Sequence, residues 1–125
     1  MFSRWFTVTT TTSPRLHSRI PCSRKLFDGR LGTPHAIDVP FTFDTLEFTN
    51  ATDRSAGAHA LAATMSGAWA AFARTGVPEH ASLPAWPAYS EAQRATMVLD
   101  VDCHVARDPG AEARALWAEI AGHRG

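Results

Sequence analysis

One histidine in this sequence stands in a setting that could do chemistry. The stretch GRLGTPHAIDVPFTF, residues 29–43, places His35 directly after a Gly-Thr-Pro turn and three residues before Asp38. Because Pro34 fixes its own φ and keeps Thr33 extended, His35 is presented from a turn rather than from a regular helix or strand. Imidazole titrates near neutral pH and is the usual proton carrier in enzymes. His35 is therefore a candidate acid–base residue.

The remaining cysteines and histidines do not suggest a metal site. Cys22 and Cys103 are too few for a disulfide framework, and their spacing matches no metal motif. The other five histidines are scattered, and none stands at ligand spacing from a cysteine or an acid: His17, His59, His80, His104 and His123. We therefore expect no metal site.

Charge is distributed unevenly along the 125 residues. Residues 1–27 carry five basic side chains and no acid, whereas residues 28–125 carry twelve acids against seven arginines, a net charge of −5. The second part is a poor electrostatic match for a phosphate backbone, so we expect no nucleic-acid partner. No apolar run has the length needed to cross a bilayer, so we expect no transmembrane segment.

Composition divides the chain at about residue 25. Residues 1–25 are rich in Ser, Thr and Arg and are predicted to be a disordered basic tail, while residues 26–122 have the composition of one compact domain. The tail composition also fits an organellar transit peptide, or residues placed ahead of the real domain by an accidental start codon. A cytoplasmic location is the expectation, with an organellar location as the alternative.

The segment after His35 is predicted to be a turn or a short helix, since Pro40 argues against a central strand. It is expected to bury four apolar side chains: Ile37, Val39, Phe41 and Phe43. Residues 56–75 form the clearest predicted helix, with Ser55 as N-cap and with Gly76 and Pro78 as its stop. Its apolar stripe follows helical spacing: Leu61, Met65, Ala68, Trp69 and Phe72.

The last third of the chain predicts one strand and one helix. Residues 95–102 alternate apolar side chains with Asp100 and Asp102, which indicates a strand with one wet face. A helix over residues 109–122 is expected to begin with Asp108 as its cap and Pro109 as its first residue. That helix is expected to bury Leu116, Trp117 and Ile120.

The run GTPHAIDVPFTF resembles the histidine segment of type-B carboxylesterases, the cholinesterase-like branch of the α/β-hydrolases. In that family the catalytic histidine lies in a loop of the form Gly-x-x-His-x-x-acid-apolar-Pro-Phe-x-Phe. The matching positions here are Gly32, His35, Asp38, Val39, Pro40, Phe41 and Phe43. The resemblance continues in the family's order through WAAFARTGVP at 69–78, WPAY at 86–89 and RATMVLD at 94–100. It covers roughly residues 26–121, and the order of the motifs is more specific than any one of them.

This resemblance implies an α/β fold: the incomplete C-terminal portion of an α/β-hydrolase, mostly helices and loops with one or two short strands. It implies hydrolysis of small-molecule carboxylic esters, in which a serine attacks, a histidine relays its proton and a distant carboxylate orients the histidine. Only His35 has a counterpart here. Ser55 lacks the glycine that a nucleophile elbow needs two residues earlier, because Asp53 stands there, and it follows His35 rather than preceding it. Ser55 is therefore interpreted as a helix cap.

Two functions follow from these observations. The first is the C-terminal part of a carboxylic-ester hydrolase that is inactive alone, with a separately encoded N-terminal half as its partner or with self-association through an apolar helix stripe left partly exposed. The alternative is a non-catalytic cholinesterase-like interaction module. An ester assay on this chain, with and without His35→Ala, distinguishes activity of the chain alone from inactivity.

Overall fold

The computed structural model describes residues 36–122, except residues 51 and 53. His35, Cys22 and the predicted tail 1–25 therefore lie outside the described residues. In chain order the described elements are α1 (Val39–Thr42), a 3-10 helix (Leu46–Phe48), α2 (Ala56–Thr75), β1 (Ala95–Val98), β2 (His104–Arg107) and α3 (Ala111–Gly122). None of the described helices combines the length and the apolar character required to span a membrane.

Helix α2 is the centre of the fold, and both of its predicted ends are confirmed. The Ser55 hydroxyl accepts a hydrogen bond from the Ala58 N–H at 3.2 Å, which satisfies one of the free donors of the first turn. Gly76 ends the helix in the left-handed conformation at φ 75°, where glycine pays no Cβ penalty. The side chains of Leu61 and Met65 on the predicted stripe are buried. Farther along, Trp69 and Phe72 are half-buried and meet edge to face.

The hydrophobic core lies between α2, the α1 segment and the first strand. Its buried members are Phe41, Leu46, Ala58, Leu61, Ala62, Met65, Met97 and Leu99. Leu83, Trp86, Cys103 and Val105 pack against this cluster from the loops and from β2. One face of each element is thereby covered, and the core holds α1 in place against α2.

The short helix predicted after His35 is confirmed as α1, but half of its expected burial is wrong. Ile37 and Phe41 are buried, whereas Val39 is exposed and Phe43 is 68% exposed. Each pair is spaced by four residues, so each pair lies on one side of a helical turn, and the two pairs point in roughly opposite directions. Only one side of so short a helix can face α2.

The predicted strand 95–102 is too long. β1 ends at Val98 and pairs antiparallel with β2, in a register that places Ala95 opposite Arg107. The Asp100 carboxylate accepts a hydrogen bond from the Val101 N–H and so closes a local turn instead of lining the wet face of a strand. The strand β2 was not predicted, since the short run His104–Arg107 lacks a clear alternation of apolar and polar side chains.

The last helix begins later than predicted and buries none of the expected residues. Asp108 adopts a left-handed φ of 45°, and its side chain binds Arg114 instead of capping the helix. Leu116 is 57% exposed, Trp117 66% and Ile120 37%, so the expected burial of this face is wrong for the described chain. The periodic pattern predicted a helix correctly. The apolar face of that helix, however, does not pack against the core cluster.

Candidate active site

The backbone that leaves His35 is held in an unusual conformation. Ala36, the next residue, has a φ of 64°, in the left-handed region that non-glycine residues rarely enter. The Val39 N–H donates a hydrogen bond to the Ala36 carbonyl at 3.2 Å and closes a turn leading into α1. Such strained residues cost about 1–3 kcal/mol, persist only where the surrounding structure fixes them, and cluster at functional sites.

Two apolar anchors fix this turn. Ile37, just before α1, is 4% exposed, and Phe41, within α1, is 1% exposed. Phe41 belongs to the central core cluster together with Leu46 and Leu61. The chain that follows His35 is thus attached to the most deeply buried part of the molecule. A catalytic base requires such a support, because its imidazole must keep its position throughout the reaction.

Asp38 occupies the N-cap position of α1, but its carboxylate makes no capping hydrogen bond. Its carbonyl accepts a hydrogen bond from the Thr42 N–H at 2.9 Å. The side chain is half-buried. Asp38 therefore contributes to the turn after His35 through its backbone and not through its carboxylate.

Ser55 is a helix cap, as the sequence predicts. Its backbone is extended, its side chain is exposed, and its hydroxyl oxygen is used by the Ala58 N–H of the first turn of α2. Asp53 stands where a nucleophile elbow has its glycine, so this serine lacks the sharp turn that projects a nucleophile. Nothing in the geometry of Ser55 points to attack on an ester.

The structure brings together a histidine and a carboxylate that sequence analysis missed. His59 Nε2 lies 3.2 Å from Glu47 Oε1, and Glu47 Oε2 lies 3.4 Å from Arg54 Nη1. These side chains are roughly half exposed, so water screens the pair and its contribution to stability is small. Among the described residues, no hydrogen bond joins the His59 imidazole to the Ser55 hydroxyl. Ser55, His59 and Glu47 therefore do not form a catalytic triad.

Cys103 is a free, half-buried thiol. Its sulfur donates a hydrogen bond to the Asp100 carbonyl at 3.1 Å. Burial raises the pKa of the Cys103 thiol above its ordinary value, and the nearby carboxylates of Asp100 and Asp102 act in the same direction. The thiol is therefore protonated near neutral pH, unlike the thiolate that a nucleophilic cysteine requires. Within the described part of the chain, no three His, Cys, Asp or Glu side chains converge as metal ligands would.

Comparison with known proteins decides the family. A model of the carboxylesterase family matches residues 6–117. The chain belongs to the carboxylesterase family. The match begins inside the predicted tail, and the boundary at residue 25 stays a prediction.

Two relatives show how much of a carboxylesterase this chain corresponds to. It is 39% identical over 90 residues to phenmedipham hydrolase of Pseudarthrobacter oxydans, a match that covers 66% of this chain and 18% of that protein. It is 36% identical over 83 residues to para-nitrobenzyl esterase of Bacillus subtilis (strain 168), a match that covers 64% of this chain and 17% of the relative. The chain therefore spans less than a fifth of the length of these relatives.

Solved structures agree on the fold. The carboxylesterase EST55 of Geobacillus stearothermophilus at pH 6.2 superimposes with a TM-score of 0.61 at 40% identity, over 70% of this chain and 19% of that one. Esterases of this kind have the α/β-hydrolase fold. Three helices and a two-stranded sheet are a part of that fold, which confirms the predicted fold class.

Proposed function

We propose that this chain supplies the catalytic-histidine segment of a carboxylic-ester hydrolase, with His35 as the general base. The observation that carries the proposal is the histidine motif itself, in a chain that belongs to the carboxylesterase family. The strained turn at Ala36 and the buried anchors Ile37 and Phe41 support it, because they fix the backbone next to the proposed base.

The chemistry assigned to His35 is proton transfer in two steps. The imidazole takes the proton from a serine hydroxyl as the serine attacks the ester carbonyl. It then gives that proton to the leaving alkoxide, which leaves an acyl-enzyme and a free alcohol. Water then attacks the acyl-enzyme and the same imidazole takes its proton. As the bond between the acyl group and the serine oxygen breaks, the imidazole returns that proton to the serine and the carboxylic acid leaves. A carboxylate orients the ring, and backbone N–H groups stabilise the oxyanion. No cofactor enters these steps.

The serine and the orienting carboxylate of this mechanism come from outside these 125 residues. The 125 residues contain no Gly-x-Ser-x-Gly sequence, and Ser55 is a helix cap. The catalytic groups act as a unit, so a base without a nucleophile gives almost no rate. The chain by itself is therefore inactive toward esters, and activity requires a carboxylesterase body, by which we mean the polypeptide that corresponds to the rest of the relatives' length.

The proposed substrate is a small carboxylic ester. Para-nitrobenzyl esterase of Bacillus subtilis, one of the relatives, is named for such a compound. The corresponding esters of para-nitrobenzyl alcohol and of para-nitrophenol are therefore suitable probes for this chain in a complete enzyme.

A chimera tests the proposal. The matched segment of this chain replaces the corresponding 17% of the Bacillus subtilis esterase, and hydrolysis of a para-nitrophenyl ester is measured. We expect the chimera to be active, and His35→Ala to reduce kcat/KM by about 10⁴-fold or more, as removal of a triad member does. His59→Ala, which removes an exposed histidine, is the matched control and should leave kcat/KM within about threefold.

Two results would contradict the proposal. One is a chimera whose activity survives His35→Ala. The other is a chimera that folds, as judged by a cooperative thermal transition, but hydrolyses no ester; that result favours the non-catalytic interaction module. The full chain alone should give no turnover above the buffer rate.

A further inference from the structure

Helix α3 has an apolar face that stays exposed in the described chain. Its Leu116 and Ile120 are one turn apart, and Trp117 lies beside them, so the three fall within a sector of about 100° at helical spacing. All three are exposed, and no residue of the helix is buried. Twelve residues are too few to hold a helix in water by propensity alone. A helix of this kind becomes stable by covering its apolar face.

Charged side chains fix the start of this helix to the β1–β2 hairpin. The Arg114 guanidinium donates through Nε and Nη2 to both oxygens of the Asp108 carboxylate, the first bond at 3.3 Å. Arg94 Nε lies 4.0 Å from the same carboxylate, and Arg94 Nη1 donates to the Tyr89 hydroxyl at 3.1 Å. The Asp108 N–H also donates to the Arg94 carbonyl. Side-chain and backbone hydrogen bonds therefore join the start of α3 to the hairpin, although its apolar face is uncovered.

The family match indicates what covers that face. It runs from residue 6 to residue 117 and so includes Leu116 and Trp117. The relatives continue for about four fifths of their length beyond the part that this chain matches. When a segment is part of a much larger fold, the rest of that fold covers most of the apolar surface of the segment. A carboxylesterase body is large enough to cover this face.

We infer that α3 is a docking arm, which packs Leu116, Trp117 and Ile120 against a carboxylesterase body. The inference rests on the proposed function, since both require that body. It goes further because it names the contact surface, which is the apolar face of α3. The residues that join α3 to the hairpin, Asp108 and Arg114, are separate from that face.

The full chain is tested for binding to the Bacillus subtilis para-nitrobenzyl esterase from which the matched segment has been deleted, with the two co-expressed. We expect a one-to-one complex by light scattering. The double substitution Leu116→Ser and Ile120→Ser should weaken it by about 100-fold, because it removes two large apolar contacts. The control pair Ala115→Ser and Ala118→Ser changes the opposite side of α3 and should alter the dissociation constant by no more than about threefold.

Hydrogen exchange supplies a second measurement on the same chain. The α3 amides should exchange rapidly in the chain alone and become protected in the complex, because an uncovered short helix frays. Protection of α3 in the chain alone would overturn the inference, since another part of this chain would then cover the face. A dimer of the chain alone that the Leu116→Ser and Ile120→Ser pair dissociates would overturn it in favour of a second copy.

Two controls keep the outcomes separate. The esterase that lacks the matched segment is first combined with its own excised segment. If those two pieces assemble but the esterase piece does not bind this chain, the docking arm is contradicted. If that pair does not assemble, the same substitutions are compared in the chimera, where the Leu116→Ser and Ile120→Ser pair must lower the thermal midpoint more than the Ala115→Ser and Ala118→Ser pair. If the chain docks but no ester is hydrolysed, only the proposed function is contradicted. If esters are hydrolysed and the α3 substitutions have no effect, only the docking arm is contradicted.

Discussion

Helices α2 and α3 are both amphipathic, but only α2 has its apolar face covered. α2 is capped by Ser55 at its start and by a left-handed Gly76 at its end, and it buries Leu61 and Met65 in the core. α3 begins after a left-handed Asp108 and buries no residue. The comparison separates two properties of a helix. Its ends are set by nearby residues, whereas burial of its face depends on what the rest of the protein supplies.

The largest expected difference between the two helices is in the effect of removing a leucine. Leu61 is 3% exposed and Leu116 is 57% exposed. We expect Leu61→Ala to lower the free energy of unfolding by about 2–5 kcal/mol, because it opens a cavity in the core. Leu116→Ala should change it by no more than about 0.5 kcal/mol in the chain alone. Urea unfolding followed by circular dichroism measures both; equal losses would show that α3 is covered within this chain.

A glycine in α2 gives the next effect. A Cβ added at Gly67 would lie 2.6 Å from His80 Cδ2, so the imidazole, which accepts a hydrogen bond from the Ser82 N–H, would have to shift. We expect Gly67→Ala to destabilise the fold by about 1–2 kcal/mol, although alanine is the better helix former. Gly122 in α3 has nothing within 4 Å of that position, and Gly122→Ala is the control. If Gly67→Ala remains as costly in a His80→Ala background, the contact with His80 is not the cause.

Removing the cap of α2 should cost about 1 kcal/mol. Ser55→Ala leaves the Ala58 N–H without its acceptor, whereas Ser55→Asp keeps one. Thermal unfolding of the two variants should therefore differ, with Ser55→Asp close to the unsubstituted chain. In the chimera, Ser55→Ala should leave ester hydrolysis unchanged. A large loss of kcat in a folded Ser55→Ala chimera would instead identify Ser55 as part of the catalytic machinery.

The smallest effect is expected from pH at the start of α3. The hydrogen bond from Arg114 lowers the pKa of the Asp108 carboxyl below its ordinary value of 3.8. A lowered folded-state pKa contributes stability that is present above pH 3.8 and is lost as the pH falls through the folded value. The helicity of the chain, followed by far-ultraviolet circular dichroism between about pH 5 and pH 3, should therefore decrease slightly on acidification. Asp108→Asn should remove that dependence; an unchanged pH profile in this variant would assign it to other groups.

Much of the fold follows from local sequence signals. The limits of α2 follow from a stripe at helical spacing, a serine cap and a Gly-x-Pro stop, all within a few residues of the helix. The short helix after His35 follows from Pro40 and the apolar run around it. The burial of Phe41 but not Phe43 does not follow, because that choice depends on which side of the turn meets α2.

Features that depend on residues far apart in the sequence could not be predicted from it. The pairing of β1 with β2 joins a recognisable strand to a run without a strand signal. The contact between Glu47 and His59 depends on the 3-10 helix that places Glu47 beside α2. The candidate site was found through a family motif around His35. The exposure of Trp117 could not be predicted, since the apolar pattern of a helix does not say whether its partner belongs to the same chain.

Chemical rescue in the chimera shows whether His35 is the base of an ester hydrolase. Hydrolysis of a para-nitrophenyl ester by the His35→Ala chimera is measured with and without added imidazole, beside the unsubstituted chimera. We expect His35→Ala to abolish hydrolysis and free imidazole to restore part of it, with no effect on the thermal midpoint. Undiminished hydrolysis in the His35→Ala chimera without imidazole would contradict it.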